Sequence, residues 1–188
     1  MSFKVAYGDS IIKPVFSNSV YTSSVNNNLG FYQNDSISGF VLKTDSSLRI
    51  IDGWGNIIYS LPNLFSTIKP ATSYINNIGY ILQPVGKTVQ VISANGSISR
   101  VLYAADSIST SPILIQTASE IYRIVFGTDG GKVLSYNLSD FNDSTVVLID
   151  SSRSIIKIAG SESFLCFLLD NNSVAPIVPQ VNYSDNAG

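Results

Sequence analysis

RIVFGTDGGKVLSYNL, residues Arg123–Leu138, consists of two apolar runs on either side of a polar turn. Ile124–Phe126 is β-branched and aromatic, Thr128–Gly131 is polar and rich in glycine, and alternate residues of the second run are apolar. This order predicts a β-hairpin, because such runs favour strands and Asp-Gly pairs favour turns. The two glycines predict a primed two-residue turn, since glycine adopts positive φ angles at little cost.

The same hairpin pattern recurs along the chain. Three further copies lie at Gly39–Ile51, Gly79–Ile92 and Ser163–Val174. The copies are spaced by 40, 44 and 41 residues when they are aligned on the turn positions Asp45, Val85, Asp129 and Asp170. A weaker copy at Phe3–Phe16, with Asp9 in its turn, precedes Asp45 by 36 residues. The hairpin is therefore a repeat with five copies.

Two more strands are predicted between successive hairpins. Outer strands are predicted at Asn56–Pro62, Ser97–Tyr103 and Ser144–Asp150, and inner strands at Ile68–Tyr74, Thr110–Gln116 and Ser154–Gly160. A repeat of four strands in about 40 residues is typical of a propeller blade. Helical periodicity is nearly absent, so the sequence predicts an all-β chain.

The predicted fold is a small β-propeller of five four-stranded blades, forming a single domain over residues 1–180. The C-terminal tail, residues 181–188, has two interpretations: it is disordered, or Val181–Tyr183 closes the ring by pairing with the first blade. Closure would remove an edge strand that is otherwise exposed.

The segment TSPILIQTASEIYRIVFGTDGGKVLSYNL, Thr110–Leu138, resembles one blade of the quinoprotein-like and WD-repeat β-propellers. It has a Ser-Pro before the inner strand, then Gly-Thr-Asp-Gly-Gly, then a strand with Leu-x-Tyr. The other repeats resemble these families more loosely, without the Trp-Asp and Gly-His pairs or one tryptophan per blade. The resemblance implies the propeller fold and carries over no cofactor.

Composition argues against an enzyme, a cofactor and a metal. The chain has no histidine, which is the commonest general base and the commonest nitrogen ligand of metals. Most of the carboxylates considered as catalysts fall in predicted turns, and Cys166 lies in an apolar run that predicts a buried, inert thiol. The segment Asp140–Ser144, DFNDS, is interpreted as a solvated connection rather than a cation site. We therefore predict no catalytic residues.

Charge and hydropathy limit the partners of the protein. Only 13% of the residues are charged and the net charge is −2, so there is no basic stripe for nucleic acid. No apolar stretch has the length of a signal peptide core or of a membrane span. The sequence predicts synthesis in the cytoplasm without a signal peptide, and no membrane insertion.

Trp54 is predicted to lie at the tip of a turn, in Ile50–Ile58, IIDGWGNII. The favoured interpretation is that its ring folds back to cap its own blade. The alternative is an exposed ring that contacts a protein or a sugar. With Tyr32 and Tyr80 as further turn aromatics, that alternative would make the protein a lectin-like, ligand-binding propeller.

The predicted outer strands carry little protection against pairing with other chains. Arg100 is the only positive charge within them and Pro62 the only proline, whereas Val146 and Leu148 lie in a strand whose only charge is Asp150 at its end. We therefore predict a non-enzymatic structural or interaction protein, forming a homo-oligomer or a ring within a larger assembly, with Trp54, Val146 and Leu148 as partner contacts. The low charge and the abundance of Ser, Asn, Ile and Tyr are similar to those of tail or nozzle virion proteins of archaeal viruses, which predicts a location in the virion.

Overall fold

The computed structural model describes residues 5–7, 10–12, 29–33, 38–44, 46–93, 96–118, 121–161 and 164–177. Every regular element in these residues is a β-strand, which confirms the all-β prediction. No helix in the described part of the chain is long and apolar enough to cross a membrane.

Seventeen strands form five antiparallel sheets in the described residues, each a simple meander in chain order. A two-stranded sheet comprises β1 (Val5–Tyr7) and β2 (Ser10–Ile12). The first of three four-stranded sheets comprises β3 (Leu29–Gln33), β4 (Ser38–Lys43), β5 (Ser47–Asp52) and β6 (Ile57–Pro62). The second comprises β7 (Ala71–Ile75), β8 (Ile78–Val85), β9 (Thr88–Ile92) and β10 (Ile98–Tyr103). The third comprises β11 (Ile113–Ala118), β12 (Ile121–Gly127), β13 (Lys132–Asn137) and β14 (Ser144–Leu148). A three-stranded sheet comprises β15 (Ile155–Ser161), β16 (Phe164–Leu169) and β17 (Val174–Ile177).

The five predicted hairpins are all present as paired strands: β1–β2, β4–β5, β8–β9, β12–β13 and β16–β17. The three predicted outer strands are β6, β10 and β14, and each lies at the edge of its sheet. Strand β3 was not predicted. The single domain over residues 1–180 stays a prediction, and residues 181–188 lie outside the described residues.

One turn geometry joins four pairs of successive strands: β5–β6, β9–β10, β12–β13 and β16–β17. The first residue of the turn donates its N–H to the carbonyl of the residue four positions later. The fourth residue donates its N–H to the carbonyl of the first residue. The fourth residue has a positive φ, and it is Gly55, Gly96, Gly131 or Asn172. The primed two-residue turn predicted for TDGG is therefore wrong: only Gly131 is left-handed, in a longer loop that ends in a left-handed residue.

The turn needs glycine at position 131 for two reasons. Its φ is +69°, and an added Cβ would lie 1.7 Å from the carbonyl oxygen of Asp150. This close approach occurs because the Gly131 carbonyl accepts a hydrogen bond from the N–H of Ile149, directly after β14. Gly131 thus fixes the end of β14 against the start of β13.

The chain divides into two compact units, residues 1–85 with 90–100 and residues 86–89 with 101–188. Within each unit, apolar residues of two successive sheets form a common core. The core of the first unit contains Val41, Leu48, Ile50, Leu64, Ile81 and Ile92. The core of the second contains Ile115, Val125, Val133, Ile155, Ile158, Leu165, Phe167 and Leu169. Cys166 lies between the buried positions of β16 and is half-buried, so the prediction of a buried thiol is wrong.

Candidate interaction surfaces

Strand β14 is the exposed edge of the sheet β11–β14. All five of its residues are exposed, and Val146 and Leu148 expose 57% and 56% of their surface. The strand contains no charge, proline or bulge, which are the features that usually protect an edge strand from pairing with another chain. An uncharged apolar edge strand is a surface on which another strand can pair.

The backbone of β14 offers free pairing groups in a defined pattern. Asn137 donates its N–H to the carbonyl of Asp143, and Ile149 donates its N–H to Gly131, so odd-numbered residues of this segment bond toward β13. Because bonding alternates along an antiparallel strand, the N–H and C=O groups of Ser144, Val146 and Leu148 point away from β13. No strand in the described part of the chain pairs with that side of β14.

The first end of β14 is held by an ion pair. Arg123 Nη1 lies 2.9 Å from Asp143 Oδ2, and Asn137 Nδ2 donates to the same oxygen at 3.0 Å. Arg123 also donates from Nε to Ser135 Oγ, so it links β12 to β13 and to Asp143, the residue directly before β14. The hydrogen bond from Arg123, and then that from Asn137, lowers the pKa of Asp143 below its ordinary value.

The segment Asp140–Ser144 uses its carboxylates for structure. Asp143 is occupied by Arg123 and Asn137, and Asp140 Oδ1 accepts the N–H of Asn142. No group of three His, Cys, Asp or Glu that could hold a metal occurs within the described ranges. The segment is a capped connection between β13 and β14.

Trp54 lies at the third position of the turn between β5 and β6, and 71% of its surface is exposed. The favoured interpretation, in which its ring folds back on its own sheet, is wrong. The exposed aromatic ring is available to a partner.

The turn that carries Trp54 is held in one conformation by Asp52. Asp52 Oδ1 accepts the N–H groups of Trp54 at 2.9 Å and Asn56 at 2.8 Å, and Oδ2 accepts Asn56 Nδ2 at 2.9 Å. These bonds lower the pKa of Asp52, with the Asn56 side chain contributing most. A turn that is bonded in this way presents Trp54 at a low entropic cost of binding.

Strand β6 continues the apolar surface next to Trp54. Ile57 and Ile58, its first two residues, are both exposed. Tyr59 is covered instead by the turn between β9 and β10, where an added Cβ on Gly96 would come within 2.1 Å of the Tyr59 ring. The Trp54 turn and the start of β6 thus form one exposed apolar region, which we call the Trp54 region.

The structure brings some of the predicted contact residues together. Val146 and Leu148 point to the same face of β14, in the second unit. Trp54 belongs to the first unit. The other two aromatics of the lectin hypothesis are not turn residues, since Tyr32 lies within β3 and Tyr80 within β8. Tyr80 is partly covered, and burial raises its pKa.

Two buried polar residues, Lys43 and Gln83, escaped the sequence analysis. They lie 40 residues apart, near the ends of β4 and β8, which are the first strands of successive repeated hairpins, and they expose 3% and 0% of their surface. Each donates a hydrogen bond to the carbonyl of the next residue, Thr44 for Lys43 and Pro84 for Gln83. The repeat spacing would have shown that the two positions correspond, but nothing in the sequence distinguishes them from exposed polar residues beside a turn.

The sequence matches no protein-family model and no curated protein. Three solved structures are similar in fold. BBS1N in complex with ARL6DN has a TM-score of 0.64 and 17% identity, over 88% of this chain and 53% of that chain. The computationally designed Ika8 protein has a TM-score of 0.66 and 16% identity, over 93% of this chain and 52% of its own, and Saccharomyces cerevisiae Sqt1 has a TM-score of 0.61 and 15% identity, over 81% of this chain and 45% of its own. The chain spans about half the length of these structures. BBS1N and the designed protein are propellers, so the chain has a propeller-like all-β fold.

Proposed function

We propose that this protein is a non-enzymatic interaction protein that presents its edge strands and turns to neighbouring protein chains. The observation that carries the proposal is β14, an uncharged edge strand whose residues are all exposed. Monomeric proteins usually protect such an edge, because it templates pairing with other chains. A homo-oligomer, or a place in a larger assembly, would cover it.

The likeness to propellers supports an interaction role. BBS1N was solved in complex with ARL6DN, so one propeller with a similar fold is found in complex with another protein. At 17% identity the likeness concerns the fold and identifies no partner for this chain. Exposed apolar residues on β14 and in the Trp54 region supply surfaces of the kind that protein partners cover.

The finer parts of the proposal rest on sequence. A propeller of five blades requires β1 and β2 to belong to a fifth blade beside the four larger sheets. A tail or nozzle subunit of a virion, synthesised in the cytoplasm without a signal peptide, is proposed from composition alone. Neither the fold nor the similar structures favour a viral protein over a cellular one.

A lectin-like propeller is the second candidate, and the exposure of Trp54 is the observation that favours it. Exposed aromatic rings on pre-organised turns can stack on sugars. The position of Tyr80 within a strand counts against it, because a lectin site would need that ring at a turn. Trp54 is the only tryptophan, so its fluorescence during titration with oligosaccharides reports binding directly.

Sedimentation velocity over a range of micromolar concentrations tests the interaction role. We expect the wild type to sediment above the 20.3 kDa of one chain, and the double variant Val146→Lys with Leu148→Lys to sediment as a monomer. The Trp54→Ala variant measures the contribution of the Trp54 region separately.

The control is the double variant Thr67→Lys with Ser151→Lys, which adds the same charges at exposed loop positions. It should sediment like the wild type. A wild type that is monomeric throughout, or a control that dissociates as fully as the β14 variant, would contradict the proposal.

A further inference from the structure

The three outer strands differ in how well they are protected. Strand β6 ends in Pro62, which lacks an N–H, and β10 has Arg100 at its centre. Strand β14, Ser-Thr-Val-Val-Leu, has neither kind of guard. Of the outer strands in the described residues, β14 is therefore the one best suited to pair with another strand.

Resting on the proposed function, we propose that β14 pairs antiparallel with β14 of a second copy, about a two-fold axis at Val146. The sheet β11–β14 of one copy would then continue into the sheet of its partner. The outward backbone groups of β14 belong to Ser144, Val146 and Leu148, so pairing must set these residues opposite one another.

One register satisfies this condition over the whole strand. It places Val146 opposite itself and Ser144 opposite Leu148, which makes three hydrogen-bonded pairs and about six hydrogen bonds. A shift by one residue would place outward groups opposite inward ones, and a shift by two would lose a pair. The self-paired register about Val146 is thus the longest that the strand allows.

The side chains are compatible with this register on both faces. Val146 meets Val146 and Leu148 meets Ser144 on one face, while Thr145 meets Val147 on the other. Such pairs of β-branched and apolar residues stabilise antiparallel strands by about 0.2 to 1 kcal/mol each. The pairing removes exposed apolar surface from water on both copies.

The charges next to the strand do not oppose the pairing. In this register Asp143 lies opposite Ile149, and Asp150 lies opposite Asn142, so no like charges face each other directly. Asp143 is in addition already bonded to Arg123 within its own chain. A contact of this isologous kind closes with two copies, so it predicts a dimer with twice the mass of one chain.

Cysteine cross-linking tests the register in a Cys166→Ser background. Residues in a hydrogen-bonded pair have Cα atoms about 5.5 Å apart, which a disulfide can span. Val146→Cys should therefore form a disulfide-linked dimer with oxidised glutathione. Leu148→Cys is the matched control, because Leu148 is equally exposed but its two copies would lie about 14 Å apart along the paired strands.

We expect at least about tenfold more cross-linked dimer from Val146→Cys than from Leu148→Cys. Mixing Ser144→Cys with Leu148→Cys chains should restore cross-linking, because those positions face each other. Equal cross-linking of the two single variants in a sample that sediments as an oligomer would overturn this register and leave the proposed function intact. A chain that stays monomeric under reducing conditions would overturn both.

Discussion

Strands β13 and β14 are neighbours in one sheet, yet their apolar residues meet opposite surroundings. Val133 of β13 exposes 4% of its surface, whereas its cross-strand partner Val147 exposes 39%. Both strands are apolar enough to enter a core, but β13 lies inside the sheet and β14 forms its edge. The apolar residues of β14 are therefore not buried in the core of the chain. For this reason we assign them to an interface with another chain.

The largest effect is expected where β14 is tied to the start of β13. Gly131→Ala forces a side chain into a left-handed residue and against the Asp150 carbonyl, and it should lower the free energy of unfolding by about 2 to 4 kcal/mol. Chemical denaturation measures the loss. Gly86→Ala, with φ of +59° and open space around it, should cost about 1 kcal/mol. Equal losses for the two variants would show that the close approach to Asp150 has no importance.

A pair of identical substitutions measures the contrast between β13 and β14 directly. Val133→Ala removes side-chain atoms from the core of the second unit and should cost about 2 kcal/mol. Val147→Ala, across the strand pair, should cost less than about 1 kcal/mol when unfolding is followed at concentrations where the chain is monomeric. A larger loss for Val147→Ala would mean that β14 is part of the core.

A smaller effect is expected from the ion pair that holds β14 in place. The pKa of Asp143 is lowered in the folded chain, so its contribution to stability is present above the unfolded value, about 3.9, and is lost as the pH falls through the folded value. The difference in unfolding free energy between the wild type and Asp143→Asn should therefore be larger at pH 6 than at pH 3. A difference that does not change with pH would contradict a role for the carboxylate charge.

Most of the strands could be predicted from local patterns. The turn residues and the alternation of apolar side chains locate the hairpins, and spacing locates β6, β10 and β14. The turn type in TDGG could not be predicted in the same way, because this sequence is equally compatible with a longer turn that has one left-handed residue. Strand β3, with glycine as its second residue, lacks a continuous apolar run and was missed.

The candidate surfaces were predictable only in part. An uncharged outer strand indicates exposed pairing groups, because position at the edge follows from the order of strands in a meander. Whether the Trp54 ring folds back depends on the turn that Asp52 holds, and that geometry is not evident from composition. The burial of Lys43 and Gln83 could not be predicted either, because polar residues beside a turn are usually exposed.

Amide hydrogen exchange at Val146 and Val147 tests most directly whether another chain covers β14. The Val147 N–H points toward β13 and should exchange at the same rate at all protein concentrations, whereas the Val146 N–H points outward. We expect exchange at Val146 to slow by at least about tenfold between dilute, monomeric samples and concentrated ones, as the second strand covers it. Fast exchange at Val146 at every concentration would show that the edge of β14 faces only water, and would contradict the account.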